Sequence, residues 1–319
     1  MQEFRYLKIC DMSIDNAIEG FYLLKSSVMR STGGGKPYLT GKLQDTTGEI
    51  DYVMWDYTGT VHDSSLGLPV KVRGTVSAYN GNIQVSIVRI RAIQDSDNVD
   101  LSQIIPVAPI DAVAGYKEVK QMLSELQDPD YRNIALELLK RHEKTFVNVP
   151  AAKGVHHAFL HGVLMHTLNM MRTAKYFAEL YKDTPINASL LIAATFCHDI
   201  NKDREMLTTR VGLVDDYSVE GELLGHSYMS AREIHEVGAA LKIPEAKTML
   251  MEHLILSHHG QPDWGATVTP RCAEAALLHL IDMVDSRMEI YREAYLKVTP
   301  GEFTEKVYAL GNRAYFPEL

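Results

Sequence analysis

Two textures in one sequence predict a multi-domain chain, an N-terminal small closed β-barrel followed by an all-α domain. Short β-branched and aromatic runs fill residues 1–95, and apolar residues recur at threes and fours over 110–319. A polar and then proline-punctuated stretch, 96–109, reads as the linker. In the first part the runs FYLLKSSVMRS, PYLTGKLQD, EIDYVMWD, PVKVRGTVSAY and IQVSIVRIRAI are separated by the turn signals GGGKP, TTGE, LGLP and YNGN. Five such strands in about 80 residues fit a small closed barrel. In the second part YKEVKQMLSELQ and DYRNIALELLKRHEKTF read as amphipathic helices. GVLMHTLNMMRTAKYFAELY, KTMLMEHLILSHH and AEAALLHLIDMVDSRMEIYREAYL are longer and more apolar. No internal repeat or low-complexity segment interrupts either part.

The 319 residues are 46% hydrophobic and 23% charged, which is globular composition. No run of about 18 apolar residues is present, and MQEFRYLKICDMS carries acids where a leader would be apolar, so a cytoplasmic protein without a membrane partner is expected. The three cysteines, Cys10, Cys197 and Cys272, are scattered without CxxC spacing, against both a disulfide framework and a thiolate zinc site. A net charge of −9 argues against a surface that grips duplex nucleic acid as a whole. Residues 1–95 hold ten basic and ten acidic side chains, leaving 22 and 31 for the rest, so the whole deficit lies in the helical part.

Chemistry is concentrated where polar groups interrupt apolar helices. The run NASLLIAATFC leads straight into His198 and Asp199, and an unpaired charge in an apolar interior costs several kcal/mol unless it is paired, hydrogen-bonded or bound to a metal. His166 in VLMHTL, His226 in LLGHSY, His258 and His259 in LSHHG and Asp282 in LHLIDM stand where a plain core would carry Leu or Ala. Imidazole and carboxylate without thiolate suit Mn, Fe, Co or Zn better than a structural zinc knot. Asp199 can bridge two ions, and such pairs serve in-line phosphoryl displacement. A lone buried histidine is more often a satisfied core group, and His142, His235, His253 and His279 are read that way. Cys197, Met165, Met170 and Met171 are read as core packing.

The His…HD…Asp pattern resembles the HD-domain metal-dependent phosphohydrolases. AAKGVHHAFLHGVLMHTLNM, HDINK, YSVEGELLGHS, LILSHHGQPDWGA and EAALLHLIDMVDSRM resemble the YhaM family of 3′→5′ exoribonucleases nearly block for block, over most of the chain. The resemblance implies an N-terminal OB-fold joined to an all-α HD domain. It implies that His166, His198, Asp199 and Asp282 hold one divalent metal, and that His226 and His258 with bridging Asp199 hold a second, with His259 as a further ligand. Manganese is the metal implied, with Fe, Co, Zn or Mg as alternatives. Lys202 occupies the lysine of the family's HD-x-G-K motif, where it meets a substrate phosphate. Asn201 departs from the motif glycine, and a left-handed backbone is expected there, which Asn tolerates. His161 likewise replaces a residue that is usually small.

Substrate contacts are expected in both parts. His156 and His157 precede the first ligand and are read as phosphate contacts, as groups that hydrogen-bond a ligand from outside, or as caps of the helix start. Arg287 and Asp285 lie one turn past Asp282, where a phosphate clamp, a hydrogen bond to a ligand or a solvated ion pair would each fit. In the barrel, Tyr38, Trp55, Tyr57 and Tyr79 are candidate stacking platforms interleaved with Lys36, Lys42, Lys71 and Arg73, although Trp55 taken alone reads as core on an alternating strand. The combined reading is a metal-dependent phosphodiesterase of single-stranded nucleic acid, with Asp199 and Lys202 as catalytic residues. The direction, the preference for RNA over DNA and the manganese come from the resemblance. The alternatives are an HD-domain hydrolase of a small or cyclic nucleotide with the barrel as regulatory module, and a non-catalytic RNA-binding protein with structural metals. Self-association into a homo-oligomer is open at this level.

Overall fold

The computed structural model of the chain describes residues 4–59, 61, 66–94, 96–97, 99, 101–105, 107–151, 159–208 and 214–318. The chain divides into two compact units, residues 1–107 and residues 108–208 with 214–319. Each has its own apolar core.

In the first unit β1 (Ala17–Ser31), β2 (Pro37–Asp45), β3 (Gly48–Trp55), β4 (Pro69–Tyr79) and β5 (Asn82–Ala92) close into a barrel in the order β1-β2-β3-β5-β4. Closure depends on the length of β1. Its first half pairs with β4, from Ala17 opposite Thr75 to Leu23 opposite Pro69, and its second half with β2, from Leu23 opposite Gln44 to Ser31 opposite Pro37. A register shift between Leu24 and Ser26 bends the strand, so one strand serves both neighbours. Parallel pairing of β3 with β5, from Asp51 opposite Gln84 to Val53 opposite Ser86, seals the wall. This order makes the barrel an OB-fold.

Alternation sends Tyr22, Leu24, Leu39, Leu43, Tyr52 and Val72 inward. The two tyrosines keep their hydroxyls satisfied, Tyr22 donating to the Leu7 carbonyl at 2.7 Å and Tyr52 to Ser27 Oγ at 3.0 Å. The YNGN signal forms the β4–β5 turn, with Asn80 and Gly81 both at positive φ. Within 96–109, Leu101–Gln103 forms a 3-10 turn whose Gln103 carbonyl accepts from the Thr46 N–H and hydroxyl.

The second unit is built from α1 (Ala112–Ser124), α2 (Pro129–Arg141), α3 (Gly162–Leu180), α4 (Ala188–Cys197), the single turn α5 (Lys202–Glu205), α6 (Val219–Ala240), α7 (Glu245–Ser257) and α8 (Ala273–Tyr295). Asp111, Asp128, Asn187 and Ser218 accept hydrogen bonds from the first-turn N–H groups of α1, α2, α4 and α6. Each such cap contributes about 1 kcal/mol. Helix α4 is buried on every side from Ser189 to Cys197 and packs on α2, α3, α7 and α8. Its polar chemistry therefore emerges only at its C-terminal end. Met165, Met170, Met171 and Cys197 are buried as core side chains.

Two antiparallel ribbons add to the helices, β6 (Met206–Thr208) with β7 (Val214–Tyr217) and β8 (Phe303–Val307) with β9 (Asn312–Tyr315). Strands this short carry too few residues for alternation to announce them. No helix among the described residues is long and apolar enough to cross a membrane.

Candidate metal centre and nucleic-acid-binding surface

Five elements deliver one cluster. His166 lies in the second turn of α3, His198 and Asp199 follow α4 directly, His226 lies within α6, His258 and His259 follow α7, and Asp282 lies in α8. The rings run in a chain: His166 to His198 at 5.2 Å between centroids, His198 to His258 at 5.3 Å, His258 to His226 at 5.6 Å and His258 to His259 at 4.0 Å.

The Nδ1 atoms are fixed by acceptors. His198 donates to the Thr195 carbonyl at 2.7 Å and His258 to the Ile255 carbonyl at 2.6 Å. His166 donates to Asp285 at 2.7 Å and His226 to Glu205 at 2.8 Å. A carbonyl or ionised carboxylate can only accept, so each ring turns its Nε2 toward the cluster. Those of His166, His198 and His226 lie 3.7, 3.2 and 3.3 Å from the Asp199 carboxylate, the first two on Oδ2 and the third on Oδ1. Asp199 thus offers one oxygen to each of two imidazole groups.

A backbone break sets His226. Gly225, at φ 70° and ψ 153°, interrupts α6 in a region open essentially to glycine alone. The break frees the His226 N–H to donate to Glu205 Oε1 at 2.9 Å, the same oxygen that takes the Nδ1 proton. Sequence reasoning missed Glu205, because an acid at the end of a single helical turn carries no periodic signal.

The donors fit metal ions. Ligand atoms of His166, His198 and Asp199 lie within 4.8 Å of one another, as do those of His226, His258 and His259. His226 Nε2 and His259 Nδ1 are buried without a hydrogen bond among the described residues. His166 Nε2 faces His198 Nε2 at 3.2 Å, where two nitrogens share at most one proton in the place a cation would take. Burial and then the adjacent imidazoles hold His258 and His259 below the ordinary histidine range. Burial would raise Asp199, yet His198 and Lys202 keep it well below the usual carboxylate range. Neutral imidazoles beside ionised carboxylates are the protonation states that ligation requires. His166 is the exception: burial disfavours its charge, but Asp282 and Asp285 raise it to about 10.

The cluster opens into a cavity of about 440 Å³ lined by His166, Asp199, His258, Asp282, Lys202 and Arg287, among others. Lys202 Nζ lies 2.8 Å from Asp199 Oδ2. Asn201 does not take the left-handed backbone expected of it. Its φ is −88°, and its buried amide donates to Glu233 Oε2 at 3.0 Å. The left-handed residue is instead His161 at φ 67°, whose Nδ1 donates to the Val147 carbonyl at 2.6 Å. His156 and His157 lie outside the described residues. His279, read from sequence as structural, lines the cavity with Trp264, which sequence reasoning did not single out.

On the barrel, Tyr38 and Trp55 are cross-strand neighbours with ring centroids 4.9 Å apart. They line one groove with Tyr79, Arg30 and Lys42. Trp55 is 55% exposed and Tyr79 64% exposed, so the core reading of Trp55 fails: the indole packs on Tyr38 outside the wall. Tyr57 leaves the stacking set, because it is buried with its hydroxyl bonded to the Val61 backbone. The basic residues do not form one track with the rings. Lys71 and Arg73 line a separate cleft with Arg89 and Arg91, where both reach Glu19, and Lys36 reaches Asp56 at 3.6 Å.

Residues 163–287 match the HD domain. Over 95% of its length the chain is 34% identical to the 3'-5' exoribonuclease YhaM of Oceanobacillus iheyensis, covering 95% of that protein. It is also 34% identical to the 3'-5' exoribonuclease YhaM of Bacillus subtilis, again over 95% of both chains. The chain belongs to the YhaM family. Among solved structures, the OB domain of Ta0387 from Thermoplasma acidophilum is similar at 20% identity over 30% of this YhaM-family chain and 88% of that one, with a TM-score of 0.22. An HD domain implies divalent-metal binding, and the two His/Asp groups of this YhaM-family member are of the kind that hold such ions.

Proposed function

We propose that the chain is a divalent-metal-dependent 3′→5′ exoribonuclease that shortens single-stranded RNA and releases 5′-mononucleotides. The observation that carries the reading is Asp199, buried between two imidazole groups with one oxygen toward each, in a chain whose family relatives are 3'-5' exoribonucleases. His166, His198, Asp199 and Asp282 would hold one ion, and His226 and His258 with Asp199 the second, His259 adding its unpartnered nitrogen. A set of imidazoles and carboxylates without thiolate accepts Mn, which we favour, as well as Fe, Co, Zn or Mg. Bound there, such ions would supply a water nucleophile at neutral pH and would neutralise charge on the attacking and leaving oxygens of an in-line displacement.

The chain's own groups do the rest. Lys202 lies at the cavity wall on Asp199 and offers a second positive charge to the phosphodiester as negative charge builds on it. Arg287 lines the same wall, and its planar fork suits a phosphate. Tyr38, Trp55 and Tyr79 would stack bases of the strand beyond the cut, holding it near the catalytic unit.

The test is a 5′-labelled single-stranded RNA incubated with chain stripped by chelator and then reloaded with one metal at a time, a DNA strand of the same sequence running beside it. The expected result is a ladder shortening from the 3′ end, with 5′-mononucleotides as product, only after metal is restored. Activity that survives chelation, internal cuts, or faster turnover of cyclic mononucleotides would overturn the reading.

A further inference from the structure

Trp264 is 58% exposed, in a cavity that also holds Asp199, His258 and Asp282. Its indole lies over the imidazole of His279, with centroids 5.9 Å apart and planes at 28°. The imidazole is itself held, donating Nδ1 to the carbonyl of His258 at 2.9 Å, so the pair is tied to the turn that carries a proposed ligand. Gly260, at φ 80°, lies against that ring: a Cβ there would come within 2.3 Å of His279 Cε1. Any side chain at 260 would push the imidazole from under the indole.

The loop bearing Trp264 is also pinned. Trp264 N–H donates to the Gln261 carbonyl at 3.0 Å, Gly265 N–H to Pro262 at 2.9 Å and Thr267 N–H to Leu256 at 3.0 Å. An aromatic surface fixed in advance loses little freedom when a ligand lands on it. In the same cavity, Arg287 makes no ion pair among the described residues.

We propose that Trp264, backed by His279, is the nucleobase platform that seats the 3′-terminal nucleotide for removal, with Arg287 on its phosphate. This rests on the exoribonuclease reading and deepens it. A π-face accepts every base, as an enzyme that removes nucleotides in succession requires, and it favours purines, which stack most strongly. A cavity of about 440 Å³ is of the size that takes one nucleotide.

Two measurements test it. Steady-state kinetics on short single-stranded RNAs should show a roughly tenfold or larger rise in KM for Trp264→Ala, near-parental values for Trp264→Phe, and no difference between variants when the 3′ residue is abasic. Metal content and oligomeric state should stay unchanged. An equal loss on intact and abasic strands, no loss on either, or a shift in oligomeric state, which would make Trp264 a contact between copies, each overturns the proposal. The second measurement is independent of turnover. The sequence has two tryptophans, so Trp55→Phe leaves Trp264 as the sole indole. In metal-loaded chain its fluorescence should be quenched saturably by adenosine 5′-monophosphate and left unchanged by ribose 5-phosphate. Equal responses to both overturn the platform. A parent chain that fails to shorten RNA while its indole is still quenched by the nucleotide would sink the exoribonuclease reading and leave the base site standing.

Discussion

Asp199 meets His166, His198, His226 and Lys202 with two oxygens, so its removal strips both halves of the cluster at once. Asp199→Ala is expected to bring turnover to background and to lose at least one ion, measured by elemental analysis of folded protein. Cys197→Ala, two residues away in a tight core, should cost only about 1 kcal/mol and keep its full metal content; metal loss there would mean that the ligand set is wrong. A second buried network lies under the site, where His142 contacts Asp203 at 2.8 Å and Glu233 at 2.9 Å. Burial alone would lower His142, but the two carboxylates raise it to about 9 from an unfolded value near 6.5. Its contribution is complete below about 6.5 and is lost as pH climbs through about 9. Glu233, held at about 2 by His142 and Asn201 against the effect of burial, contributes above about 4.5 and loses this as pH falls through about 2. The urea midpoint should therefore fall between about pH 6.5 and about pH 9, and His142→Gln should flatten that fall. At this scale the ligand candidates were legible because each breaks an apolar stretch. His279 was not, since it sits one turn before Asp282 in an ordinary helical pattern, and Trp264 lies on a short turn with no period to violate.

Elements were legible in proportion to their length. The runs PYLTGKLQD and PVKVRGTVSAY coincide with β2 and β4, while β1 begins four residues before its most apolar run, because that first half is specified by pairing with β4 rather than by its own alternation. The ribbons β6–β7 and β8–β9 left no trace for the same reason of length. The interruption of α6 at Gly225 is a backbone fact that side-chain pattern does not express. Gly225→Ala should lose about 1–3 kcal/mol in a denaturant titration, since the residue must either hold a strained backbone or straighten the helix. Straightening would carry His226 away from Glu205, so the ion proposed for His226 and His258 should be lost first in an elemental assay of the folded variant. A Gly225→Ala variant with parental stability and both ions would show that the break is incidental.

Across the whole molecule, the two apolar cores share no residue. Metal should therefore raise the melting of the helical unit and leave that of the barrel in place, two transitions being resolved by calorimetry. Every proposed ligand lies between residues 166 and 282, so a chain lacking residues 1–95 is expected to keep its ions while losing kcat/KM on long strands far more than on dinucleotides. The loss should shrink at high salt if basic residues carry it. An equal loss at every length, in truncated protein still folded by circular dichroism, would rule out a role in holding long substrate. The shared strand β1 bears on how such a chain is born. Residue 17 cannot find its partner at residue 75 until β4 has left the ribosome. Until then Ile18, Tyr22 and Leu24 have no wall to face. The interval in which the nascent chain is adhesive thus ends only when β4 emerges, and slow codons read before that emergence would lengthen it, whereas slow codons read after β5 has also emerged would fall on a barrel already shut.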